Sequence, residues 1–143
     1  MLQGTGKIIA GSSLAQFTRA RPYWMVLQCD QGVMEYYRWW IHNSFKDVWG
    51  RQIYKTCRPL AGCHISIVRG EDPSVKGKKL WDSLIGKKVP FTYTPDLQTN
   101  GKHWWLLIDC PEIIEIRQQL GLRPVPKFPL HLTVATNAEN CLV

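Results

Sequence analysis

The sequence has no apolar run approaching the roughly 18 residues that a membrane helix needs. It also has no apolar segment of signal-peptide length behind basic residues near its start. These absences point away from membrane and secreted proteins and toward a cytoplasmic one. Among its five cysteines (Cys29, Cys57, Cys63, Cys110 and Cys141) there is no C-x-x-C pair. An odd number cannot close wholly into internal bridges, so reduced thiols are expected. Acidic residues are few, 11 against 18 Lys and Arg, and the net charge of +7 favours encounter with polyanions such as RNA or nucleotides. At 143 residues the chain fits one domain and needs no metal or disulfide staple.

Residues 1–20 are rich in Gly, Ser and Thr without periodicity, and read as a poorly ordered or irregular lead before a single domain over 21–143. Tyr23 to Cys29 has the apolar, aromatic character of a buried strand, and Asp30 suits the cap of a following helix. In that helix Val33, Tyr37, Trp40 or Ile41, Ser44 and Val48 recur at three- and four-residue steps, leaving Arg38, Asn43, Lys46 and Asp47 for solvent. Cys63 to Val68 is dense in β-branched residues and stops at Gly70. Lys76, Lys78, Lys79, Lys87 and Lys88 fall in a Gly-punctuated stretch that reads as a solvated basic connection.

The second half repeats this grammar. Val89 to Thr94 and His103 to Asp109 form a hairpin about the turn Gln98 to Gly101, and Pro111 opens a helix that Gly121 closes, with Ile113, Ile114, Ile116 and Leu120 on its apolar face. Leu130 to Ala135 is a last apolar strand. Trp24 to Asp30 aligns by eye with Trp104 to Cys110, and Cys63-His-Ile-Ser-Ile67 with Leu130-His-Leu-Thr-Val134. The halves look duplicated, and a twofold relation would bring two equivalent histidines face to face.

Side chains alternate along a strand, so His64 shares a face with Ser66, and His131 with Thr133. Two imidazoles near neutral pH can together take a proton from a nucleophile and give one to a leaving oxygen. The two hydroxyls suit the non-bridging oxygens of a phosphate, where charge builds in the transition state. His42-Asn-Ser44 also fits H-x-[Ser/Thr], but it falls within the predicted helix, where residues two apart do not share a face. His103-Trp-Trp105 lacks the hydroxyl. A zinc site built on the histidines with Cys63 or Cys110 is disfavoured, because Cys63 alternates to the face opposite His64 and no paired-ligand spacing exists.

With the strand and helix order around them, the motifs Cys63-His-Ile-Ser-Ile-Val68 and Leu130-His-Leu-Thr-Val-Ala135 resemble the two-histidine (2H) phosphoesterase superfamily. The resemblance covers about residues 23–136. It implies a LigT-like, bilobal α+β fold, with two pseudo-symmetric strand-helix-strand lobes whose antiparallel sheets flank a central cleft. His64 and His131 would be the acid/base pair and Ser66 and Thr133 the phosphate holders, with no metal or other cofactor.

The stretch His64 to Glu71, and Leu120-Gly-Leu122 before the second motif, more closely resemble compact phage enzymes that degrade cyclic-nucleotide immune signals, the anti-CBASS nucleases. That implies cleavage of 3′–5′ linkages in cyclic oligonucleotides by ribose 2′-OH attack, in the host cytoplasm, with no protein partner required. RNA ends bearing 2′,3′-cyclic phosphates, or 2′–5′ linkages, are the alternative substrates, and a silent nucleotide-sequestering module is the rival from another class. Tyr54, Arg58, Lys127 and Phe128 lie in connections leading to the histidine strands and are candidate substrate contacts.

Overall fold

The computed structural model describes residues 1–10 and 23–138. It is a mixed α+β arrangement of seven strands and three helices among those residues: β1 Leu2–Ala10, β2 Trp24–Gln28, α1 Gln31–Ser44, β3 Thr56–Cys57, β4 His64–Arg69, α2 Val75–Leu84, β5 Lys88–Thr99, β6 His103–Asp109, α3 Pro111–Gln119 and β7 His131–Asn137. The strands form one antiparallel sheet in the order β3-β7-β4-β2-β1-β5-β6, and β6 also pairs with β7. Six strands therefore close into a barrel, with β3 added outside the ring on β7. Two separate sheets flanking a cleft were expected; a single closed sheet is found. The difference comes from β1, which joins the two halves along a second edge by pairing with β2 and β5.

The expectation of an irregular lead fails at β1, while residues 11–20 lie outside the described residues. Gly4 and Gly6 made that segment look unlike a strand. In the fold their missing side chains are filled by neighbours: a Cβ on Gly4 would stand 2.6 Å from the Phe91 ring, and one on Gly6 would strike Leu27.

Most of the basic stretch is likewise a helix and not a connection: Lys76, Lys78 and Lys79 lie on α2, while Lys87 lies in the connection after it and Lys88 opens β5. Ser74 caps α2 by accepting from the Gly77 N–H at 3.0 Å. Gly77 is buried because α2 lies on the backbone of Leu120 with no room for a Cβ.

The remaining elements follow the sequence closely. Asp30 caps α1 through the Gly32 N–H at 2.8 Å. Met34, Tyr37 and Ile41 are the buried residues of that helix; Ser44 is exposed, and Val48 lies beyond the helix end, exposed as well. Arg38, expected in solvent, instead donates to Thr56 O at 2.9 Å and Thr56 Oγ1 at 3.2 Å. Ile113, Ile116 and Leu120 are buried on or beside α3, and Gly121 ends it at φ 75°. These side chains join Ile8, Leu27, Ile65, Ile67, Leu106, Leu132 and Val134 in one core.

Cys29, Cys63 and Cys110 are free and buried. Cys57 is disulfide-bonded, so the reading of all thiols as reduced fails there. It sits on the edge strand β3 beside the C-terminal end of β7, a neighbourhood that cysteine spacing could not reveal. Among the described residues no helix is long and apolar enough to cross a membrane.

The topology is palindromic. β1-β2-α1-β4 in one half matches β5-β6-α3-β7 in the other, with β4 paired to β7 at one junction and β1 to β5 at the opposite one. Each histidine strand also carries a bulge at the same place. Ile67 is the extra residue of β4 against β2, and Val134 that of β7 against β6, each three residues past its histidine. The alignment of Trp24 with Trp104 is off by one in the strands. Met25 stands opposite Val68 as Trp104 stands opposite Ala135, so Met25 is the true counterpart of Trp104.

Candidate active site

β4 and β7 pair antiparallel with His64 opposite Thr133 and Ile65 opposite Leu132. Continuing that register sets Ser66 against His131. Directly opposed residues of a sheet share a face, so His64, Ser66, His131 and Thr133 form one four-residue patch about a local twofold axis. The burial pattern agrees: Ile65, Ile67, Leu132 and Val134 are buried in the core, and the four site residues between them are half-buried on the other face. The two histidines are diagonal neighbours, about 7–8 Å apart at the backbone, a spacing that admits a phosphate between the rings.

Both rings are held in the same way. His64 Nδ1 lies 2.7 Å from Gly62 O, and His131 Nδ1 lies 2.8 Å from Pro129 O, each carbonyl two residues upstream. A carbonyl oxygen only accepts, so each Nδ1 carries a proton and donates it. Nε2 is then the nitrogen left to accept or deliver a proton in either ring. Gly62 adopts φ 68°, and this turn sets its carbonyl beneath the His64 ring.

Burial is the main reason the His64 ring is pushed down to about 4. The bond to Gly62 O works against that, and the nearby His131, Arg69 and His103 add repulsion in the same direction as burial. His64 is thus neutral across the ordinary pH range. His103 is lowered too, by burial first and then by Arg69, His131 and Lys102.

Arg69 and His103 are the residues that sequence reasoning missed. His103 lacks a hydroxyl two residues on, yet β6 pairing puts it opposite Thr136 of β7, with Nδ1 3.3 Å from Thr136 Oγ1. Trp105 also belongs to the site face. It stands opposite Thr133 and meets the His131 ring edge-on at 5.9 Å, half-buried on the site face. The signal was there in the alternation of β6, where His103 and Trp105 share a face and Trp104 and Leu106 take the other.

Behind the patch, Arg117 of α3 is fully buried. Its guanidinium grips the Glu71 carboxylate with two bonds of 2.8 and 2.7 Å, and it also donates to Ile67 O at 2.7 Å and Arg123 O at 2.8 Å. It thereby ties the bulge of β4 to the segment that leads toward β7. Its bonds to Glu71 hold that carboxyl below the usual range.

The four candidate substrate contacts divide. Tyr54 is not brought to the patch: its ring packs on Phe45 at 5.5 Å and on Trp104 at 5.2 Å, on the core side of β6. Arg58 pairs with Glu35 of α1 at 2.8 Å on the surface. Phe128 is exposed, with the Lys127 ammonium 5.8 Å from its ring centre, on the approach to His131. Cys63 is buried on the core side, opposite in face to His64. A separate cavity of about 760 Å³ is lined by Gln3, Cys29, Asp30, Phe91, Tyr93 and Asp109 among others, and neither histidine borders it. The chemistry of the four-residue patch, and not cavity size, therefore directs attention to β4 and β7.

Comparison with protein-family models, with curated proteins and with solved structures finds no match to this chain.

Proposed function

We propose that the chain is a phosphodiesterase of the two-histidine type, acting without a metal on a nucleotide phosphodiester that has a neighbouring ribose hydroxyl. The observation that carries this reading is the matched pair of Nδ1-tethered histidines, each with a hydroxyl two residues on, meeting across one strand pair. His64, neutral because it is buried, takes the proton from the attacking hydroxyl through Nε2. His131 delivers a proton to the leaving oxygen through its own Nε2. Ser66 and Thr133 donate to the non-bridging oxygens, where negative charge grows in the transition state. Arg69 adds positive potential on the same side.

The palindromic topology and its equivalent bulges are what a duplicated ancestry would leave, and they support the matched roles that the family resemblance gives the two motifs. By that resemblance cyclic oligonucleotides are candidate substrates; the site as built selects a phosphodiester and no particular base.

The test is product analysis by liquid chromatography, in EDTA, of wild type and of His64→Ala, His131→Ala and the double variant. Substrates are cyclic dinucleotides and trinucleotides, 2′–5′ oligoadenylate and RNA ending in a 2′,3′-cyclic phosphate. Each single variant should lose about 10²–10⁴ in rate, and the double little more, because the two imidazoles act in one step. Intact substrates with wild type, despite measurable binding, would leave a sequestering protein in place of an enzyme.

A further inference from the structure

The sheet register joins the site to a feature that the proposed reaction does not use. His64 stands opposite Gln28 of β2, Gln28 opposite Lys7 of β1, and Lys7 opposite Lys88 of β5. Directly opposed residues share a face, so Thr133, His64, Gln28, Lys7 and Lys88 form one row across five strands. Gln28, Lys7 and Lys88 are all exposed. With strands about 4.8 Å apart, Lys7 lies about 10 Å and Lys88 about 14 Å from His64, measured along the sheet.

The row beside it behaves differently. Ser66 is followed by Val26 and Ile9, where Val26 is fully buried in a small cluster with Trp24 and Ala61. The polar row is thus an open band edged on one side by a closed apolar patch.

Two lysines directly opposite one another destabilise a sheet. Ile8 donates to Lys87 O at 2.9 Å, which makes the neighbouring Lys7 and Lys88 a pair of the closer, non-hydrogen-bonded kind. Lys87 adds a third exposed charge next to them. Among the described residues none of the three has an ion-pair partner, and the row holds no carboxylate. A run of phosphates would relieve this repulsion. The band also lacks exposed apolar side chains, which fits a nucleic-acid backbone better than a lipid surface.

We propose that this band is a phosphate track, and that the substrate bound at the histidines is a single strand of RNA whose backbone continues over Gln28 to Lys7 and Lys88. The proposal rests on the phosphodiesterase reading for what happens at His64, and on the register alone for where the chain runs.

Binding by fluorescence anisotropy tests the two parts separately. The probe is a labelled 2′-O-methyl oligoribonucleotide of about twelve nucleotides, which covers the span of a typical single-strand site and cannot be cleaved by 2′-OH attack. Proteins are wild type, Lys7→Gln/Lys88→Gln, and a charge-matched control, Lys46→Gln/Lys76→Gln. Two lost phosphate contacts should lower the salt slope by about 1.4 and weaken binding about 25-fold at about 0.1 M salt. The control should bind as wild type does.

The track is overturned if the Lys7/Lys88 variant binds the oligonucleotide as wild type does, if wild type does not bind it, or if the control loses as much. It is also overturned if phosphatidylserine vesicles, and not the oligonucleotide, show the lysine dependence. Oligonucleotide binding that depends on Lys7 and Lys88, with no cleavage of any substrate by wild type, would keep the track and remove the phosphodiesterase reading.

Discussion

Arg117→Met isolates the contribution of the buried guanidinium behind the site. Methionine keeps much of the arginine stem's volume and removes every donor. Three acceptors then lose their partner: the Glu71 carboxylate, Ile67 O and Arg123 O. Glu71 keeps about a third of its side chain in water, so its loss is largely repaired by solvent and is discounted. The buried Ile67 carbonyl is the main cost, at about 1–3 kcal/mol when such an acceptor is left bare, and the part-buried Arg123 carbonyl adds less. A loss of about 3 kcal/mol overall is expected, which for a chain of this size lowers Tm by roughly 10 °C.

Urea unfolding and calorimetry would measure it. Glu71 has a depressed pKa in the folded protein, so its pairing adds stability above the unfolded carboxyl value of 4.5, and that contribution is lost as pH falls through the folded value. The gap between wild type and variant should therefore narrow on acidification. A loss under about 1 kcal/mol at neutral pH, or a gap that widens in acid, would refute the reasoning.

Acid should act on His64 with the same sign. Its folded-state value of about 4, below the ordinary 6.5, means that the folded protein binds fewer protons than the unfolded chain between those limits. Stability should fall as pH drops through that window, by at most roughly 3 kcal/mol, and His64→Ala should remove this part of the pH dependence in urea titrations. In kinetics the acid limb of kcat/KM should lie near pH 4 to 5, well below that of an ordinary imidazole base; a limb at 6.5 would assign the base elsewhere. Gly77→Ala should destabilise by about 1–3 kcal/mol through overpacking against the Leu120 backbone, read as a fall in the urea midpoint; a neutral result would mean that α2 can lift off that segment.

Much of the fold was legible because local and tertiary preferences agree. Asp30 and Pro111 open helices where they should, and the alternation of β4 and β7 sorts core from site residues without any knowledge of the partner strands. The elements that escaped, β1 and α2, have one physical cause: glycines whose missing side chain is used by a distant neighbour. Gly4 and Gly6 are strand residues because Phe91 and Leu27 fill their space, and Gly77 is helical because Leu120 does. The local sequence contains no trace of those partners.

The site shows the same division. His64, Ser66, His131 and Thr133 are visible as periodic motifs. Arg69 depends on the pairing of β4 with β2, His103 on that of β6 with β7, and the clamp at Arg117 on where α3 lies. Tyr54 and Arg58 failed because proximity in sequence to a histidine strand says nothing about which face a loop residue joins.

The matched halves pose a chemical problem for the proposed reaction, since they offer two equivalently tethered imidazoles where one must accept a proton and the other donate. Their own tethers do not distinguish them, for both Nδ1 atoms are bound to the carbonyl two residues upstream. The difference comes from the flanking strands. Where β6 sets Trp105 opposite Thr133, β2 sets Val26 opposite Ser66, and Val26 is sealed with Trp24 and Ala61 into an apolar patch. Ala61 immediately precedes Gly62, whose carbonyl holds the His64 ring. The segment that closes this patch is therefore the one that tethers His64, and burial is the largest cause of that ring's lowered proton affinity. On the proposed reading, the acid/base order is set by residues outside both H-x-[Ser/Thr] motifs, and for that reason the motifs alone left it open.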